Sequence, residues 1–137
     1  MGILLKGENL VPLVRIDAPM DRSAAELRAL GDSVHRAMVE TLGVPAEDKF
    51  QVVTGHASGV LNVTPSYLGV AHGEGMVIVQ ITLNQGRSIE QKKALYRRLA
   101  DELHAGQGVR KEDVIVSLVE VSKENWSFGS GDAQYAP

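Results

Sequence analysis

The chain has 137 residues, 44% of them apolar, which suits a single domain with its own core and no need of disulfide or metal staples. It has no cysteine, which excludes thiol nucleophiles, redox motifs and cysteine-based metal sites, and fits the cytoplasm. A formal charge of −3, with no run of Lys or Arg interleaved by aromatics, argues against a nucleic-acid partner.

Met1 to Val11 holds one basic residue and only a three-residue apolar run, Ile3-Leu4-Leu5. That is neither a signal peptide nor a membrane span, so a soluble protein with no membrane partner is expected. Pro12-Leu13-Val14-Arg15-Ile16-Asp17 reads as a short strand headed by proline, a residue with no N–H to donate that suits strand starts. Ala18 to Arg22 reads as a turn. Ser23-Ala24-Ala25-Glu26 has capping-box spacing and predicts a helix start. Leu27, Leu30, Val34, Met38 and Leu42 then form one apolar stripe, Glu26, Arg28, Asp32 and Arg36 face away, and Gly43 ends the helix. After the connection Val44 to Asp48, Phe50 to Thr54 reads as a second strand, completing a βαβ unit.

A shift of 65 residues returns the same unit. Ten of the 42 pairs from 12/77 to 53/118 are identical, among them Arg22/Arg87, Ser23/Ser88, Leu30/Leu95, Gly43/Gly108 and Asp48/Asp113. The second helix has its own capping box, Ser88 to Gln91, and a stripe through Leu95, Leu99 and Leu103. Its exit strand is Val114 to Val119. One offset that satisfies strand, cap, stripe and exit turn together implies a duplicated unit. The expected fold is an α+β two-layer sandwich, with tandem βαβ units at 12–53 and 77–118 sharing a four-stranded sheet and both helices on one face. Apolar residues of both parities in Ile78 to Leu83 and Val114 to Val121 imply that the second face is covered by other copies of the chain.

Between the halves, Gly55 to Gly75 is glycine-rich loop with a short strand expected at Val60 to Val63; it contains no phosphate-loop motif. Glu124 to Gly129 holds the only Trp, and the polar tail Gly131 to Pro137 is expected to wander or to lie across a neighbouring subunit.

The residues Pro12-Leu13, Gly43-Val44-Pro45-Ala46 with Asp48, Gln51-Val52-Val53, Arg87-Ser88 with Glu90-Gln91-Lys92, Asp113 to Val116, and Glu124 with Trp126-Ser127-Phe128-Gly129 resemble the tautomerase superfamily, in its malonate semialdehyde decarboxylase branch. The resemblance covers Pro12 to about Ala136. It implies homotrimers whose sheets enclose a central barrel, with an amino-terminal proline as catalytic acid and base. It further implies that Pro12 moves the proton, Arg87 binds a substrate carboxylate or polarises a carbonyl, Asp48 positions or activates water, and Trp126 and Phe128 wall the pocket. The decarboxylases carry two arginines two residues apart before the second helix. Here the first of those positions, beside substrate, is Gln85, and Gly86 replaces the proline between them. A glutamine supplies no fixed charge, which favours a tautomerase over a decarboxylase or hydratase.

Proton transfer between carbon and oxygen needs a group that accepts and donates near neutral pH. A free α-amine titrates near ~8, and an apolar pocket with a cation nearby lowers that value. Arg87 offers the cation and a fork for a carboxylate. No metal or organic cofactor is required, and His35, His56, His72 and His104 show no ligand spacing. Competing structural roles stand beside each residue: Arg87 repeats Arg22, Asp48 repeats Asp113 in a helix-to-strand turn, and Trp126 and Phe128 suit a core equally well.

The expected function is enol–keto tautomerisation of a 2-oxo acid, phenylpyruvate-like or otherwise. The alternatives are a malonate-semialdehyde-type decarboxylase or hydratase dependent on Asp48, and a non-catalytic trimeric binding module if Pro12 stays blocked. As numbered, the Pro12 nitrogen is an amide bonded to Val11. A GUG codon reads as valine internally and as methionine when it initiates. Translation is therefore expected to start at position 11, with removal of that methionine leaving residues 12–137.

Overall fold

The computed structural model describes residues 12–137; the expected extension 1–11 lies outside the described residues. Its elements in order are β1 (Leu13–Pro19), α1 (Ala24–Leu42), β2 (Gln51–His56), β3 (Ser66–Tyr67), β4 (Val70–Ala71), β5 (Val77–Asn84), α2 (Ile89–Gln107) and β6 (Val114–Val121), with single 3-10 turns at Lys111–Asp113 and Lys123–Asn125. The main sheet has the order β2-β1-β5-β6. β1 and β2 are parallel, β5 and β6 are parallel, and β1 runs antiparallel to β5. Each half is thus a βαβ unit, and the two meet along the central antiparallel pair.

Both helices start as their sequences dictate. The Ser23 hydroxyl accepts the Glu26 N–H and the Glu26 carboxylate accepts the Ser23 N–H; Ser88 and Gln91 repeat the arrangement. Gly43 and Gly108 close the helices with φ of 70° and 68°, a conformation that a residue with a Cβ adopts only with strain. The core lies between the helices and one sheet face. Val14, Ile16 and Ala18 of β1 and Val77, Val79, Ile81 and Leu83 of β5 pack against Leu30, Val34 and Met38 of α1 and Leu95, Leu99 and Leu103 of α2.

The opposite sheet face carries Leu13, Val52 and Val119, all exposed, and the half-buried Ile78 and Ile115, interspersed with Arg15, Gln80 and Ser117. Nothing in the described residues forms a second layer of helices there.

Three local expectations are corrected. The first strand runs on through Ala18 and Pro19, which pair with Gly55 and His56 before the turn begins. A terminal strand position costs proline no ladder bond on its solvent side. Val60 to Val63 is not a strand. The hairpin of this linker lies at β3 and β4, turning through Leu68 and Gly69 with φ of 49° and 82°. Finally, the tail does not wander but bonds to residues 128 and 129 of its own chain. The Phe128 N–H donates to Gln134 Oε1 at 2.9 Å, and Gln134 Nε2–H donates to the Gly129 carbonyl at 3.1 Å. Among the described residues, no helix is long and apolar enough to cross a membrane.

Candidate active site

The topology gathers the singled-out residues at one end of the sheet. Pro12 is buried at the start of β1, and the Val14 N–H donates to the Phe50 carbonyl at 2.9 Å, so the entry to β2 flanks it on one side. Because β5 is antiparallel to β1, its last residues, Leu83 and Asn84, come alongside the start of β1 on the other. Asn84 pairs in turn with Val121, which delivers the segment 122–128 to the same end. The turn after α1, carrying Asp48, lies there as well because it leads into β2.

Arg87 follows β5 by three residues, after Gly86 at φ 125°. One guanidinium nitrogen, Nη1, donates to the Asn84 carbonyl at 2.6 Å. The other, Nη2, is buried and has no hydrogen-bond partner among the described residues. Burial pushes the guanidinium pKa below its ordinary value, while the nearby Glu120 carboxylate acts in the opposite direction. Glu120 is itself engaged by Lys92 at 2.9 Å. Arginine stays charged in such surroundings, so the site holds a cation with an unused donor. Leaving a buried donor unpaired costs about 1–3 kcal/mol, which an anionic ligand would recover.

Asp48 is half-buried, with its N–H on the Pro45 carbonyl at 3.0 Å. Burial, with Glu47 adding to it, raises its carboxyl pKa above the usual carboxylate range; His35 opposes the shift. The His35 Nε2 lies 2.7 Å from the Ala46 carbonyl, a pairing that requires the proton on Nε2, and tethers the turn to α1. Its buried Nδ1 has no partner among the described residues. Gln85 is exposed, its N–H bonded to the Val121 carbonyl at 3.0 Å.

The aromatic wall is larger than the sequence suggested. Trp126 and Phe128 stack with centroids 5.2 Å apart and planes 13° from parallel. Phe50 lies 5.6 Å from Phe128, and Tyr135 meets Phe128 edge-on at 5.5 Å. The Trp126 indole N–H donates to Asn84 Oδ1 at 2.6 Å. Phe50, Asn84, His35 and Tyr135 are therefore additions to the site. Of these, Phe50 was legible only as a strand residue and Tyr135 only as tail. Gln51 stays out of the site: its amide donates to the Gly31 carbonyl at 2.8 Å, packed so closely that a Cβ on Gly31 would sit 2.3 Å from Gln51 Oε1.

A groove of about 740 Å³ lies at the opposite end of the sheet, lined by residues such as Pro19, Met20, His56 and Glu74. Its histidine is occupied, with His56 Nε2 2.6 Å from Asp17 Oδ1. Volume alone would point there, but the buried guanidinium nitrogen of Arg87, without a partner among the described residues, is at the Pro12 end.

The two-layer sheet of paired βαβ units, with Pro12 and Arg87 at the same end of it, is the architecture of the tautomerases. Two models of tautomerase enzymes match the chain, over residues 48–129 and 12–71. The probable tautomerase YusQ of Bacillus subtilis (strain 168) is 40% identical over 124 residues, spanning 90% of this chain and 98% of that protein. Among solved structures, the FG41 malonate semialdehyde decarboxylase inhibited by 3-bromopropiolate matches with a TM-score of 0.83 at 37% identity, covering 90% of this chain and 93% of that one. A fused 4-OT symmetric trimer matches with a TM-score of 0.73 at 25% identity, covering 90% and 98%. The chain belongs to the tautomerase family.

Proposed function

We propose that this chain is a cofactor-free tautomerase that converts the enol of a 2-oxo acid to its keto form, with Pro12, freed as the amino terminus, as the acid and base. The observation that carries the reading is the buried Nη2 of Arg87, without a partner among the described residues, at the end of the sheet that bears the aromatic cluster. The substrate carboxylate seats on Arg87. The protonated Pro12 nitrogen delivers its proton to C3 of the enol, whose C=C pair becomes the new C–H bond. The enol O–H pair becomes part of the C=O, and the released proton restores the protonated amine. Aromatic walls around the amine disfavour its charged form and keep its pKa near working pH. Gln85, exposed beside the anchor, contacts substrate as a neutral hydrogen-bonding group. The exposed apolar residues of the second sheet face, together with the trimeric state named for the fused 4-OT neighbour, support a homotrimer.

Asp48 favours a second reading. Its carboxyl, raised by burial, suits a group that takes a proton from water, and a neighbour at 37% identity is a malonate semialdehyde decarboxylase. Ketonisation of enol phenylpyruvate and decarboxylation of malonate semialdehyde separate the two when measured on residues 12–137. Pro12→Ala slows ketonisation strongly; equal rates for the two forms would sink the proposal. Asp48→Asn spares ketonisation under the first reading, whereas under the second it abolishes a decarboxylation that the unaltered chain performs.

A further inference from the structure

The two hydrogen bonds that fix the orientation of the site converge on one side chain and its own main chain. Asn84 is 1% exposed at the last position of β5. Its carbonyl oxygen accepts from Arg87 Nη1 at 2.6 Å, and its side-chain Oδ1 accepts from the Trp126 indole at 2.6 Å. The guanidinium is planar, so tying Nη1 sets the direction in which Nη2 points. The indole is rigid, so tying Nε1 sets the tilt of the ring stacked on Phe128. From these contacts we infer that Asn84 is a positioning residue that couples the anion anchor to the aromatic wall and thereby sets selectivity for 2-oxo acids bearing an aromatic side chain over small aliphatic ones.

The inference rests on the reading of Arg87 as a carboxylate anchor. Position 84 corresponds in the repeat to Pro19, which has no side-chain acceptor, so the arrangement belongs to one half only. Buried asparagine at a strand end is costly unless its polar atoms are used, and here its two oxygens tie the Arg87 guanidinium and the Trp126 indole to one residue. The Arg87 bond is to main chain, so changing the Asn84 side chain leaves that bond in place and cuts the tie to Trp126. The anchor then keeps its grip on a carboxylate while the wall loses its alignment with the ring beyond it.

Trp126 is the chain's only tryptophan, so its emission reports the tie directly. Asn84→Leu should shift the emission maximum and lower the anisotropy, and Asn84→Asp, which keeps an oxygen acceptor, should restore both toward the unaltered chain. Calorimetric titration with phenylpyruvate and with pyruvate needs no turnover. Asn84→Leu should weaken phenylpyruvate about tenfold and pyruvate less than about threefold, as expected for losing one hydrogen bond and one aligned aromatic contact. Trp126→Phe, which leaves Asn84 in place and removes the donor together with part of the stacked ring, should give a selectivity loss at least as large and covers the case in which Asn84→Leu does not fold. Unchanged emission in Asn84→Leu, or an unchanged affinity ratio in Trp126→Phe, would overturn the coupling. Absence of turnover in a chain that still binds both acids would count against the tautomerase proposal and leave this one standing.

Discussion

The two halves of the molecule share a scaffold and divide on chemistry. At scaffold positions they are interchangeable: Ser23 and Ser88 cap alike, Gly43 and Gly108 turn with nearly the same φ, Leu30 and Leu95 are both fully buried, and Val44 and Val109 are both 2% exposed. At the positions that bear charge they differ. Arg22 donates from one nitrogen to the Gln107 carbonyl at 3.4 Å, across to the other helix, whereas its counterpart Arg87 keeps one buried nitrogen unpartnered among the described residues. Asp113 is buried and accepts the Gly73 N–H at 2.6 Å, with Arg110 at 3.6 Å, so it latches the linker to the second unit. Its counterpart Asp48 is half-buried, with its carboxyl pushed up by burial. Pro12 heads β1, and its counterpart Val77 is core. The repeat supplies a symmetric frame in which Arg22 and Asp113 are bonded within the fold while Arg87 and Asp48 stand at the Pro12 end.

The sharpest break between the halves is at the arginines. Arg87→Ala should lower kcat/KM for the enol substrate by about 100-fold or more, the usual cost of losing a preorganised donor to an anion, while Arg22→Ala should change it less than about threefold. Comparable losses from both would mean that Arg87 acts through the fold.

The aspartates should separate in stability. Asp113→Ala leaves the Gly73 N–H without its acceptor and should cost about 1–3 kcal/mol in urea unfolding. Asp48→Asn should do the reverse. An acid whose folded pKa is raised is disfavoured by the fold when ionised. That cost is absent below its unfolded pKa, near ~3.9, and complete once pH has passed the folded value. The Asp48→Asn variant should therefore melt higher than the unaltered chain at neutral pH and match it at about pH 3, as thermal scans across that range would show.

The smallest effect tests the sameness of the frame. Ser23→Ala and Ser88→Ala each remove one cap and should each cost ~1 kcal/mol, equal within a few tenths. A marked inequality would show that one helix carries strain the other does not.

These contrasts also explain what was legible in the sequence. Caps, stripes, exit glycines and strand pairs depend on residues within a turn or two of one another, so spacing reveals them, and the 65-residue offset reveals the sheet partners. Pro12, Asp48, Arg87, Trp126 and Phe128 were singled out as candidates through a resemblance carried by short motifs. Asn84 was not, because its bond to Trp126 joins residues 42 apart and no periodicity encodes it. The hairpin at Leu68-Gly69 escaped for a different reason: both turn residues have positive φ, and a leucine in that conformation gives none of the Asn-Gly signal expected of such turns. The folding back of the tail rests on Gln134 and Tyr135 meeting Phe128, again a matter of tertiary contact.

The central claim is that a free amine at Pro12, beside Arg87, carries the proton. The most direct measurement compares enol phenylpyruvate ketonisation by two forms of the same protein, one beginning at Pro12 with its nitrogen free and one retaining Met1 to Val11, with intact mass confirming each terminus. The account predicts rapid ketonisation by the first and, for the second, a rate no better than that of Pro12→Ala. Equal rates from the two forms, with the longer shown intact after the assay, would contradict it.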